Sequence, residues 1–122
     1  MGKVILEQQT ENGMTNFIAG TILDIREGTG RGEGKVRTAV MDLTVFEDKK
    51  SVGKRIEIAM WDDDKHPDNK RRQVATRSRN AKMAKDTFVM FTCGNITEKD
   101  SKSNPPVLAA TAFDFAYNTR RS

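Results

Sequence analysis

The stretch RIEIAMWDDDKH (residues 55–66) decides the fold, because its first seven residues alternate between apolar and polar faces. Ile56, Ile58 and Met60 share one face, and the only tryptophan, Trp61, lies on the other. Strict alternation predicts a half-buried strand, so Trp61 is expected to lie off the main core. Three interpretations of Trp61 remain: a core residue, the neighbour of a metal site, or a surface on which a planar group stacks.

Four further segments predict strands, because each is rich in β-branched or aromatic residues and is bounded by turn residues. They are NFIAGTILDI (16–25), VRTAVMDLTVF (36–46), DTFVMFTCGNIT (86–97) and VLAATAFDFAY (107–117). On the last strand a spacing of two predicts that Phe113, Phe115 and Tyr117 share one face. Residues 74–85 predict one short helix with basic residues on its exposed side. The polar segments 26–35 and 98–106 are interpreted as loops, and 47–54 is interpreted as a polar turn.

The order of these elements is β-β-β-α-β-β, which predicts an all-β chain with one short helix. Five short strands with a helix between the third and fourth are typical of the OB-fold, a five-stranded Greek-key barrel. The 122 residues suffice for a single domain. We assign residues 16–117 to the barrel and residues 1–15 to an N-terminal extension or an extra strand. Residues 118–122 form a short basic tail.

The composition indicates a soluble cytoplasmic protein. The single cysteine, Cys93, excludes an internal disulfide framework and is expected to be a packed thiol in its strand. No apolar run approaches the roughly 20 residues that cross a bilayer, and the N-terminus has no signal-peptide pattern.

The positive charge of the chain is concentrated in one segment. Residues 65–85 hold eight Lys or Arg against one acid, Asp68, so this segment carries +7 within a chain of net charge +4. A local basic cluster is the footprint of a surface that binds a polyanion such as nucleic acid. The alternative is a solvated helix face or linker that is basic without a partner.

The chain resembles bacterial and phage single-stranded DNA-binding proteins over residues 16–117. FIAGTIL is similar to that family's first strand with its internal glycine, and IEIAMW to the strand that ends in tryptophan. KDTFVMFTCGNI and LAATAFDF are similar to the last two strands. Asp86 stands near the place of a family glycine, and the sequence ends in NTRRS instead of the acidic, aromatic tip that docks partner proteins. The resemblance therefore implies a divergent member, as from a phage or mobile element.

Binding of a single strand without sequence preference requires a positive groove and aromatic faces on which bases stack. The resemblance implies that Trp61 is the stacking tryptophan, and Phe46, on the outer face of the second strand, is a second candidate. Phe17, Phe88 and Phe91 are expected in the core. Three interpretations remain open for Phe113, Phe115 and Tyr117, namely core, interface or a stacking ladder, and core or interface is favoured for the two phenylalanines. The predicted basic contacts are Lys35, Arg37, Lys54, Arg55, Arg71, Arg72, Arg77 and Arg79.

The acidic residues after Trp61 raise the possibility of a metal. Asp62, Asp63 and Asp64 with His66 offer the ligands of Mg²⁺ or Mn²⁺. However, adjacent residues of an extended segment point in alternate directions, and aspartates in a loop are ordinary turn formers. The sequence also lacks a nucleophile elbow, a catalytic triad signature and zinc-ligand spacing. We therefore predict no metal, no cofactor and no enzymatic activity.

The function predicted from these features is binding of single-stranded DNA, or RNA, largely without sequence preference, by a homo-oligomer (dimer or tetramer) with no membrane partner. Its role would lie in replication, recombination or mobile-element transfer. Two alternatives remain open. One is an OB-type protein-interaction module that uses residues 113–117. The other is a metal-dependent phosphodiester enzyme that uses the acidic corner.

Overall fold

The structure is a computed structural model that describes residues 2–10 and 13–117. Side chains are described from residue 15 onward, except at residues 32, 46, 47, 70 and 117. The predicted basic tail, residues 118–122, lies outside the described residues. Within the described ranges, no helix is long and apolar enough to cross a bilayer.

The chain is mostly β, with short helical segments and a sheet curled into a half-barrel, which confirms the coarse prediction of fold class. The strands are β1 (Gly2–Thr10), β2 (Gly13–Thr21), β3 (Asp24–Glu27), β4 (Val36–Glu47), β5 (Lys50–Trp61), β6 (Phe88–Cys93), β7 (Thr97–Asp100) and β8 (Val107–Tyr117). Two helices, α1 (Asn69–Arg72) and α2 (Val74–Asn80), lie between β5 and β6. A 3-10 turn (Gly30–Gly32) lies between β3 and β4.

The strands pair in the order β1-β2-β6-β8-β5-β4-β3, and β7 pairs with β8. These neighbours are antiparallel except β5 and β8, which are parallel. The strands β2 and β3 are separated in the chain by only Ile22 and Leu23, yet they lie far apart along this order. The sheet therefore bends back on itself, and β1 also pairs in parallel with β4.

Several element boundaries differ from the predicted ones. The first predicted strand (16–25) is divided into β2 and β3, and residues 2–10 form a strand of their own. The predicted turn at 47–54 is present but shorter, because Asp48 and Lys49 adopt positive φ values of 49° and 65° and close a tight turn between β4 and β5, which begins at Lys50. The segment 98–106 contributes residues to β7. The predicted helix (74–85) ends at Asn80 in α2, and α1 precedes it.

The core lies on the inner face of the curled sheet, and β5 supplies its centre. Ile56, Ile58 and Met60 are fully buried, whereas Trp61 is 45% exposed. The alternation of β5 therefore confirms that Trp61 lies off the main core. Fully buried Phe91 confirms its predicted place, but Phe88 is 57% exposed, so its assignment to the core was wrong.

A β-bulge in β8 divides its aromatic residues between two faces. Thr92 pairs with Asp114 and Cys93 with Ala112, so Phe113 is the extra residue on β8. An extra residue reverses the alternation beyond it. Phe115 pairs with Phe91 and packs against the core, whereas Phe113 leaves the sheet on the outer face. The prediction that Phe113 and Phe115 share a face was wrong, and the side chain of Tyr117 lies outside the described residues.

Candidate functional site

Trp61 and Phe113 line one cavity on the outer face of the sheet. Trp61 ends β5, where it pairs with Val36, and Phe113 reaches the same cavity from β8. The cavity has a volume of about 150 Å³ and is also lined by Arg71 and His66. Two aromatic side chains, a guanidinium, an imidazole and the acidic Asp63 therefore surround a space that opens to solvent. We call this the Trp61 cavity.

Phe113 is held between a cation and a glycine. The Cζ atom of Arg71 lies 3.9 Å from the centroid of the Phe113 ring, a cation–π contact. At Gly94, an added Cβ would lie only 2.9 Å from the ring's Cζ atom, so only glycine leaves room for the ring tip. The sequence left Phe113 open between core, interface and a stacking ladder, with core or interface favoured, and did not indicate its contacts with Arg71 and Gly94.

The acidic corner after Trp61 anchors the helices. The Asp62 carboxylate accepts hydrogen bonds from the backbone N–H of Thr76 (2.9 Å) and from the Thr76 hydroxyl, in the first turn of α2. Nδ1 of His66 accepts from the backbone N–H of Asp68 (3.0 Å), and an Asp63 carboxylate oxygen accepts from the N–H of Lys65 (3.2 Å). These are the turn-forming roles that the sequence suggested. Within the described part of the chain, no group of three or more His, Cys, Asp or Glu is placed to hold a metal ion.

Arg37 and Arg79, both predicted to contact nucleic acid, instead bind Glu27. Arg37 donates to Glu27 (2.7 Å), the Ser78 hydroxyl (3.2 Å) and the Met83 carbonyl (3.1 Å), and it is only 8% exposed. Arg79 donates to Glu27 (2.8 Å), the Gly34 carbonyl (2.8 Å) and the Val36 carbonyl (3.4 Å). The prediction for Arg37 is therefore corrected, because the side chain is buried and ties α2 to the sheet.

The carboxylate of Glu27 is electrostatically stabilised by the same two arginines. Burial by itself would raise the pKa of Glu27, but the hydrogen bonds and charges of Arg79 and Arg37 bring this pKa below its usual value. Glu27 is therefore ionised over a wider pH range than a free glutamate. The ion pairs fix the loop before β4 against α2.

Two other predicted cations form ion pairs on or near the outer face. Arg55 lies opposite Asp42 in the β4–β5 ladder and pairs with its carboxylate at 3.0 Å. Arg77 pairs with Asp114 at 3.3 Å, and its Cζ atom lies 5.2 Å from the Phe115 ring. Both pairs are substantially exposed, and exposed pairs contribute only about 0–1 kcal/mol.

The remaining predicted residues are divided between the two faces of the sheet. Lys35 is exposed and precedes β4, and its carbonyl accepts from the backbone N–H of Asp62. Arg72 lies in α1 and donates to the carbonyl of His66 at 2.5 Å. Lys54 has the strand parity of Ile56 and pairs with Leu43, so it leaves the sheet on the face opposite to Trp61. The side chain of Phe46 lies outside the described residues.

A second, larger cavity continues along the outer face. It has a volume of about 400 Å³, and Thr111 lines both cavities. Its floor consists of small residues on neighbouring strands, among them Thr38, Ala59 and Ala109. The two cavities together form a groove across β4, β5 and β8, which we call the outer groove.

The single cysteine takes no part in this groove. Cys93 is buried in the core, and burial raises the pKa of its thiol to about 12. The thiol is therefore protonated at neutral pH and poorly nucleophilic. This agrees with the packed thiol expected from the sequence.

Comparison of the chain with protein-family models gives no match, and comparison with curated proteins gives none either.

Proposed function

We propose that this chain binds single-stranded DNA in the outer groove, largely without sequence preference. The observation that carries the proposal is the Trp61 cavity, in which Trp61 and Phe113 flank a solvent-open space beside Arg71. Exposed aromatic faces next to cations are the two components of sequence-independent single-strand binding. Each base stacked on an aromatic ring contributes about 1–3 kcal/mol.

The proposed fold is an OB-fold barrel. If β2 and β3 are counted as one bent strand, the sheet path β2-β6-β8-β5-β4-β3 contains five strands and returns to its start. The helices lie between the third and fourth of these strands in chain order. An OB-fold binds oligonucleotides on the face of its second and third strands. Those strands correspond to β4 and β5, which carry the outer groove.

The charges around the Trp61 cavity support capture of a phosphate backbone. Arg71 lines the cavity, although Asp63 lines it as well, and Arg72 and the exposed Lys65 lie in the same chain segment, between β5 and α2. Phosphate neutralisation releases counterions, so affinity is expected to fall with salt at a log–log slope of about −0.7 per contact for a single strand. Stacking does not distinguish the sugar, so RNA is expected to bind in the same groove.

Self-association is proposed as a second property, on a different surface. Phe88 pairs with Thr21 across β2 and β6 and is 57% exposed, more than the other exposed large apolar side chains that the structure describes, Leu23 and Trp61. A neighbouring copy that covers Phe88 would remove this apolar surface from water. Sedimentation equilibrium is expected to show an oligomer, and Phe88→Ser is expected to shift it towards the monomer. A wild-type monomer at micromolar concentration would contradict the proposal.

The function is tested by fluorescence anisotropy of labelled oligo-dT titrated with the protein at about 50 mM and about 200 mM salt. We expect saturable binding that weakens at the higher salt, and little displacement of the oligonucleotide by blunt duplex DNA of equal phosphate concentration. No binding at the lower salt would refute the function. Equal competition by duplex would refute the role of base stacking.

A further inference from the structure

The outer groove contains one carboxylate where a DNA-binding surface is expected to be positive or neutral. Glu57 lies on the outer face of β5 and lines the larger cavity. Its side chain is only 17% exposed. An acidic side chain on the floor of a groove repels phosphates, so its position raises the question of which part of a nucleic acid it faces.

Two cations hold the Glu57 carboxylate from opposite sides. Nζ of Lys99, on β7, donates to Oε1 at 2.6 Å, and Nη1 of Arg26, on β3, lies 3.4 Å from Oε2. The carboxylate is therefore fixed in position, and its charge is offset. A carboxylate has about four lone-pair sites, so two donors leave acceptor capacity for a ligand.

The cavity around Glu57 suits a base rather than a phosphate. Its floor is made of small residues, including Ala59 and Ala109, which leave space above the sheet for a planar ring. A base that enters this space presents its edge to Glu57, and single-stranded bases expose their Watson–Crick edges.

The chemistry of Glu57 distinguishes among the bases. A carboxylate accepts from the exocyclic amino group of cytosine, whereas thymine carries a carbonyl acceptor at the same place. On its exposed edge thymine offers the carboxylate only the ring N3–H, which lies between two carbonyl acceptors that repel the carboxylate, so its hydrogen bond to Glu57 is expected to be weaker than that of the cytosine amino group. Adenine and guanine also carry amino groups.

We propose that the cavity at Glu57 is a subsite for a base with an exocyclic amino group, so that one position of an otherwise unselective strand is read. This inference rests on the proposed function. Glu57 lies four residues before Trp61 on one strand, about 13 Å away at 3.3 Å per residue. At 3.4 Å per nucleotide for a stacked strand, this spans about four nucleotides, and fewer if the strand is stretched.

The test compares oligo-dC with oligo-dT, two pyrimidine strands of equal charge, in wild type and Glu57→Gln. The glutamine amide keeps the side-chain shape but offers both a donor and an acceptor, so it accommodates either base. We expect the ratio of the two dissociation constants, dT over dC, to fall about tenfold in Glu57→Gln. Comparison of this ratio between wild type and Glu57→Gln cancels differences in general stacking or flexibility between the two oligonucleotides.

Asp42→Asn is the matched control. Asp42 is a second carboxylate on the outer face of the same sheet, it pairs with Arg55, and it does not line the larger cavity. Its substitution removes the same charge and is expected to leave the dT-to-dC ratio within twofold of wild type. Equal changes in the two variants would overturn the subsite, since they would indicate a general charge effect.

The outcomes separate this inference from the proposed function. If both oligonucleotides bind and Glu57→Gln leaves their ratio unchanged, the subsite is refuted and the proposed function stands. If neither oligonucleotide binds the wild type, the proposed function fails and the subsite fails with it.

Discussion

Substitution of Gly94 by alanine tests the position of Phe113, on which the Trp61 cavity depends. The added Cβ would lie 2.9 Å from Cζ and 3.4 Å from Cε2 of the Phe113 ring. Carbon atoms in ordinary contact lie about 3.5–4.0 Å apart. The ring tip therefore has to move by roughly 0.6–1 Å, and the Arg71 guanidinium already lies 3.9 Å from the ring centroid.

The expected effect is the sum of two opposing contributions. Overpacking costs about 1–3 kcal/mol, whereas replacement of a glycine by alanine stabilises by about 0.4–1 kcal/mol where the backbone tolerates it. Gly94→Ala is therefore expected to lower the free energy of unfolding by about 0.5–2 kcal/mol. The matched control is Gly53→Ala in β5, where an added Cβ meets nothing within 4 Å. The control is expected to be neutral or stabilising by up to about 1 kcal/mol.

The measurement is urea denaturation of both variants, in the wild-type and Phe113→Ala backgrounds. In the wild-type background the free energies of unfolding of Gly94→Ala and Gly53→Ala are expected to differ by about 1–3 kcal/mol. In the Phe113→Ala background the clash is absent, so the difference is expected to shrink below about 0.5 kcal/mol. Equal stability of the two variants in the wild-type background, or a difference that persists without the Phe113 ring, would refute the proposed packing of Phe113 against Gly94.

Three further predictions address the site and its frame. Trp61→Ala is expected to weaken oligo-dT binding by about 1–3 kcal/mol, the contribution of one stacked base; wild-type affinity in an anisotropy titration would exclude stacking on Trp61. Arg37→Met is expected to lower the free energy of unfolding by about 1–3 kcal/mol. Lys35→Met is expected to change the free energy of unfolding by less than about 0.5 kcal/mol but to reduce the slope of log affinity against log salt by about 0.7. A destabilised Lys35→Met with an unchanged slope, or a reduced slope in Arg37→Met without loss of stability, would contradict the roles assigned to the two residues. Because the pKa of Glu27 is lowered in the folded state, its ion pairs stabilise the fold above pH 4.5 and lose this effect as the pH falls through the folded pKa. The stability difference between wild type and Glu27→Gln is therefore expected to shrink in acid, and a constant difference would contradict this linkage.

The strands that alternate cleanly could be predicted from the sequence. In β5 the apolar and polar positions are separated strictly, so the exposure of Trp61 followed from parity alone. The same reasoning applied to β4 would have corrected Arg37, since it shares the parity of buried Ala39 and Met41. Arg37 was assigned to the nucleic-acid surface because of its charge, although its position in the strand already indicated the inner face.

The features that depend on register could not be predicted. The bulge at Phe113 arises from the pairing of β8 with β6, and nothing in VLAATAFDFAY alone indicates an extra residue. The turn at Asp48 and Lys49 has no glycine to indicate positive φ. Phe88 lies on the face opposite to the buried Val89 and Phe91 in a strand whose burial alternates, but the apolar Phe88 and Met90 on its more exposed face hide this alternation in the sequence.

The most direct test of the central claim is a titration of the protein with oligo-dT, followed by intrinsic tryptophan fluorescence at low and high salt. The chain contains one tryptophan, so every change in emission reports on Trp61. Stacking of a base on the indole predicts strong, saturable quenching that weakens at the higher salt. Oligo-dT that binds in a parallel anisotropy titration but leaves the tryptophan emission unchanged would contradict the claim that the strand lies in the outer groove.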